Sequence, residues 1–276
     1  MSGSISRRGF LGLMPVLPLT AGTHVAGDRS AARPGWFFRA EPAGDPASNF
    51  PAHDADVVKE IVTVAHGNLA RVKELVSARP ALARVSWDWG FGDWETPIDA
   101  ASHVGNRAIA EYLVANGARP TIYTAAMLGQ LAIVKNWVES MPGVQRNRGP
   151  HGITLLAHAK NGGTGASDVV KYLESLGDAD PRYTDLPLTD AEQTSITGEY
   201  AFGADDTERL AVGKNARGAL TIARTGRIER NLFHHGSLEF NPAGAEAVKI
   251  RFEVSGAKAQ TLVVEDGPSV VRAKRV

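Results

Sequence analysis

Apolar positions change their spacing once along this chain, near residue 195. Upstream they recur at steps of three and four: Val72, Leu75 and Val76; Ile109, Ala110, Leu113 and Val114; Ile133, Val134 and Trp137. That spacing lines one face of a helix and predicts helix pairs between residues 51 and 180. A Pro- and Asp-punctuated linker, 181–195, follows. Downstream, eight short runs carry apolar residues at every second place, among them "ITGEYAFG", "GALTIAR", "RNLFHHG", "VKIRFEV" and "AQTLVVE". Val248, Ile250, Phe252 and Val254 fall on one face of such a strand, with Lys249, Arg251 and Glu253 on the other. Residues 196–276 are therefore expected to form an antiparallel β meander, curled into a small barrel or sandwich.

The helical half repeats itself. Its clearest copy, "TPIDAASHVGNRAIAEYLVANGARP", places Pro97 at a helix start, Thr96 as its cap, and Gly105 and Gly117 where helices end. Thr96, Pro97, Ile98 and Ala101 resemble the ankyrin signature, with Asp99 where that family has histidine. Weaker copies begin at Thr121 and Thr154, and a degenerate one surrounds Gly67. The resemblance implies an α+β multidomain chain: an α-solenoid of about four ankyrin repeats over 51–180, then the β-domain. The turn glycines Gly67, Gly105, Gly129 and Gly163 lie 38, 24 and 34 residues apart, against about 33 for the family. The excess between the first two holds "SWDWGFGDW", an enlarged inter-repeat finger.

Charge and composition exclude several functions. Lys+Arg and Asp+Glu stand at 30 each, so no net field is available to hold nucleic acid. Cysteine is absent, which excludes disulfides and thiolate metal sites. The first residues, "MSGSISRRGFLGLMPVLPL", set Arg7 and Arg8 before an apolar run and are similar to a twin-arginine export signal. Residues 1–32 are read as a leader, cleaved after Gly27 or Ala32, and 33–50 as a linker. The run is too short for a membrane span. The expected destination is the periplasm or the exterior, with no transmembrane segment once the leader is gone.

The β segment resembles the accessory domain of periplasmic β-lactamase-like serine hydrolases through Gly198-Glu199-Tyr200, Gly218-Ala219-Leu220, Leu232, Phe240 and Ile250-Arg251-Phe252. That likeness implies no catalytic role. Ser255 to Lys258 matches a Ser-x-x-Lys motif in letters only, lying between two strands rather than at a helix start. No phosphate-cradling loop or His-Glu-x-x-His is present. Adjacent His234 and His235 point to opposite faces of a strand and read as packing.

The expectation is a non-enzymatic binding protein of the cell envelope, with no cofactor and no metal, that engages a protein partner. The partner-binding candidates are Trp87, Trp89, Phe91 and Trp94 of the finger, with His103, Tyr123, Met127, His151 and His158 of the inner helical surface. For the finger, packing against a neighbour competes with partner binding. The alternative function is a small-ligand or metal receptor, or an enzyme, using His151, His158 or His235 between the two halves.

Overall fold

The computed structural model describes residues 50–276, which belong to one compact unit. The twin-arginine leader lies outside the described residues. Helices α1 (Ala55–Val64) and α2 (Leu69–Ala78) start at Asp54 and Asn68, whose side chains accept from Asp56 N and Arg71 N. A 3-10 turn at Pro80–Arg84 leads into a two-stranded finger, β1 (Trp87–Asp88) and β2 (Trp94–Glu95), paired antiparallel. Next come α3 (Pro97–His103), α4 (Arg107–Ala115), α5 (Ile122–Met127) and α6 (Leu131–Ser140). Two 3-10 turns, Val144–Arg146 and Pro150–Gly152, precede α7 (Leu155–Asn161) and α8 (Ser167–Leu176). Threonines 96, 121 and 154 cap α3, α5 and α7, each accepting from the amide three residues on.

After α9 (Asp190–Ile196), opened by a Thr189–Glu192 capping box, eight strands close on themselves. They are β3 (Gly198–Phe202), β4 (Glu208–Lys214), β5 (Leu220–Arg224), β6 (Arg230–Gly236), β7 (Glu239–Pro242), β8 (Lys249–Ser255), β9 (Lys258–Asp266) and β10 (Ser269–Arg275). All neighbours are antiparallel, and β10 pairs with both β9 and β3, so no edge remains open. Alternation sends Tyr200, Leu210, Ile222, Phe240, Ile250 and Leu262 into a common core, with Ile196 of α9 among them. The buried Tyr200 hydroxyl donates to Ile196 O at 2.6 Å and accepts from Arg275 Nη2 at 2.8 Å.

This arrangement corrects the expected architecture. The chain is a closed eight-stranded antiparallel barrel with helices, not an ankyrin solenoid followed by a small β-domain. The motifs that suggested repeats are caps and turns: a threonine cap, a proline in the first turn, a glycine with positive φ. Those residues specify where a helix begins and ends, and they serve any helical hairpin equally. They do not fix how successive hairpins stack. Here the hairpins are interrupted by the finger and by 3-10 turns, and the finger and the 3-10 turn before α7 meet the barrel at the β7–β8 turn and at Arg230.

Gly152 marks that meeting. Its φ is +72°, and a Cβ there would lie 2.1 Å from Tyr183 Oη and 3.0 Å from Gly244 N. Tyr183 in turn accepts from Gly244 N at 3.0 Å and stacks on Phe233 of β6 with ring centroids 4.0 Å apart. Only glycine lets the turn before α7 approach the β7–β8 turn so closely. Among the described residues no helix is long and apolar enough to cross a membrane.

Candidate metal centre

Four side chains from four separate elements converge between the helices and the finger. His66 stands in the turn after α1, Glu95 on β2, His103 at the end of α3, and His151 in the 3-10 turn before α7. Each offers one donor atom, and these atoms all lie within 4.8 Å of one another. His103 Nε2 is 2.9 Å from both His66 Nε2 and Glu95 Oε1; His151 Nε2 and His66 Nε2 are 3.3 and 3.7 Å from the same oxygen.

The opposite atoms of these groups are already committed. His66 Nδ1 lies 3.1 Å from Val62 O and 3.0 Å from Thr63 O, which fixes the proton there and turns a bare Nε2 inward. His151 Nδ1 meets Asp93 Oδ2 at 2.8 Å, while the His151 amide donates to Asp93 Oδ1 at 2.8 Å. His151 holds a left-handed φ of 60°, a conformation that Asp93 pins from both sides. Glu95 Oε2 accepts from Trp89 Nε1 at 2.8 Å, which leaves Oε1 as the oxygen facing the imidazoles. That oxygen is buried, and no N–H addresses it in hydrogen-bonding geometry.

Electrostatics reinforce the picture. Burial pushes the Glu95 carboxyl up, but His103 and His151 against it prevail and hold it at about 2. Burial pulls the His151 imidazole down, yet its contacts with Asp93 and Glu95 carry it to about 9. Asp93 is likewise raised by burial and lowered, on balance, by His151 and by Arg230, whose Nη2 lies 2.7 Å away. Without a cation the site is a concentration of buried carboxylate and imidazole charge. Such a cluster is held together by protons or by a metal ion.

Beside it, His158 of α7 is fully buried and donates from Nδ1 to Thr154 O at 2.8 Å. Its Nε2 has no partner, and burial pulls its pKa down to about 4, so it is a neutral ring with a bare nitrogen. Tyr123 leans on that ring at 4.8 Å between centroids.

The residues proposed from sequence for partner contact thus divide. His103 and His151 are in the donor cluster, with His158 and Tyr123 beside it. Met127 is wholly buried in the helical core and offers no contact surface. Trp87 and Trp89 pack against the helical core, and Phe91 packs against the barrel core. Only Trp94 of the finger is largely exposed, at 58%. His235, the alternative candidate on β6, is on the outer face and bonds Asn241 Oδ1 at 2.5 Å. The sequence reading assigned no metal ligands, and it missed His66, Asp93, Glu95 and Arg230. Two signals were available: His66 and His103 both precede turn glycines, and Asp93 and Glu95 flank Trp94 just before a helix cap.

No protein-family description matches the chain, and no curated protein matches it either. Among solved structures, crystal structures of SurE, alone and with D-Leu, align at a TM-score of 0.25 and 19% identity. The alignment spans 43% of this chain and 28% of theirs, and a likeness so slight carries no argument.

Proposed function

We propose that the protein holds one divalent transition-metal ion on His66, His103, His151 and Glu95 and uses it to bind or activate a small molecule. The observation that carries this is the convergence of three imidazole nitrogens and one carboxylate oxygen within 4.8 Å. Three nitrogens and one oxygen suit zinc, iron, nickel, copper or manganese rather than calcium or magnesium, which prefer all-oxygen sets. The Asp93–His151 pair and the Trp89–Glu95 bond are the outer partners that orient ligating side chains in metal sites.

An accessible site is favoured over a closed structural one. Glu95 is fully buried, but the side chains of His66 and His151 are 32% and 25% exposed, so the cluster has a solvent-facing edge. A metal with a free position there polarises a bound ligand or lowers the pKa of a bound water. Export through the twin-arginine route, which carries folded proteins, accords with loading a metal before translocation; this is part of the proposal.

The test is elemental analysis of purified protein, followed by azide titration of the cobalt(II)-substituted form watched by visible absorption. One equivalent of metal and a saturable azide response are expected. No stoichiometric metal would overturn the reading. Metal without an azide response would reduce it to a structural site.

A further inference from the structure

A cavity of about 660 Å³ lies where the finger meets the barrel. Its walls are Trp87, Phe91 and Trp94 from the finger and Leu210, Ile222 and Val264 from inside the barrel. The volume is that of a small-molecule site, and the barrel mouth is a common place for one. Trp89 and Arg230 also line it, but none of the four proposed metal ligands does, so this inference goes beyond the metal reading and does not depend on it.

Two features specify the occupant. First, the lining is mostly apolar and part of it remains uncovered: Trp94 is 58% and Ile228 51% exposed. Second, three arginines, Arg224, Arg227 and Arg230, and one carboxylate, Asp88, stand around the cavity. Arg224 is paired with Glu208 and Arg230 with Asp93, whereas the Arg227 side chain makes no ion pair or hydrogen bond among the described residues. A mostly apolar cavity with one unpaired guanidinium at its edge suits a hydrocarbon body that carries a single anionic group.

We infer that the cavity binds a small amphiphilic carboxylate, its hydrocarbon body between the finger tryptophans and the barrel mouth and its carboxylate at Arg227. Decanoate is the probe, and 1-decanol is its uncharged counterpart of equal chain length. Each is titrated below its aggregation limit into metal-free and metal-loaded protein, following tryptophan emission and heat. Decanoate is expected to bind one to one, about tenfold more tightly than decanol, the scale of a charge-assisted hydrogen bond.

Arg227→Gln, in an exposed turn, is expected to remove that preference while leaving decanol unchanged. Trp87→Phe is expected to weaken decanoate binding and spare the metal. Absence of saturation, equal affinity for acid and alcohol, or an unchanged preference in Arg227→Gln would overturn the inference. Because the metal-free protein is included, loss of the metal reading would leave this result intact.

Discussion

The molecule contains two groups of histidines, and they differ in what surrounds each ring. His234 and His235 of β6 are neighbours in sequence and strangers in space: one turns inward, bonds Leu186 O at 3.0 Å and stacks on Phe240; the other turns outward to Asn241. His66, His103 and His151 are separated by tens of residues and meet ring against ring, with centroids 4.8 and 5.3 Å apart. The barrel histidines turn to separate partners, Leu186 O and Asn241, and the bare Nε2 of His234 bonds no second imidazole among the described residues. Those of the helical side turn their Nε2 atoms toward one buried oxygen. Proximity in sequence is therefore no guide to joint chemistry; what matters is whether the free donor atoms of several rings share a focus.

Removing one group at a time breaks that comparison most directly. Changing His66 and His103 together to Ala is expected to take bound metal from one equivalent to nearly none, by elemental analysis. The paired change of His234 and His235 to Ala is expected to leave metal content alone. It should instead lower the denaturant midpoint, because the His234 side chain fills the barrel core. Equal metal loss in both variants would place the ion elsewhere.

Next in size is Asp93→Asn. Asp93 orients His151 and neutralises the buried Arg230, so metal affinity is expected to fall about 10–100-fold, the usual cost of an outer partner. The same change leaves the Arg230 guanidinium buried without its counter-charge, at a cost of about 3–5 kcal/mol in unfolding free energy. Gly152→Ala acts on the joint between the two halves. Its Cβ meets Tyr183 Oη and its φ is positive, so a loss of about 1–3 kcal/mol is expected in urea unfolding, with weaker metal binding because His151 is adjacent.

The local grammar of this chain was legible in its sequence, while its arrangement in space was not. The strands of the barrel lie in the alternating runs, since period-two patterning follows directly from a strand with one buried face. The threonine caps and turn glycines were readable for the same reason: each depends on its own few residues. The error came from treating Thr96-Pro97 and Gly105 as the mark of a solenoid. Gly105 is required because Asn161 O would lie 2.1 Å from its Cβ, a contact across 56 positions that no repeat pattern encodes. Glu95 was illegible for a related reason. A glutamate between Asp93 and Thr96 in a turn-rich stretch reads as a surface residue until three imidazoles from distant turns are known to face it.

The smallest expected effect separates two tryptophans two residues apart. Trp89 donates to Glu95 Oε2 at 2.8 Å, whereas the Trp87 N–H donates to nothing. Both rings pack on the helical core, so exchanging either for Phe removes similar contacts. Only at position 89 does the exchange free a carboxylate oxygen to turn toward the cluster or toward water. A hydrogen bond to a charged group is worth about 1.5–3 kcal/mol at most, and part is recovered when Oε2 finds another partner. Trp89→Phe should therefore weaken metal binding by only a few-fold, in a competition titration against a chelator, and Trp87→Phe by nothing measurable. If both exchanges weakened the metal equally, the finger would be acting through its packing, and the bond to Glu95 would lose its place among the groups that hold the site.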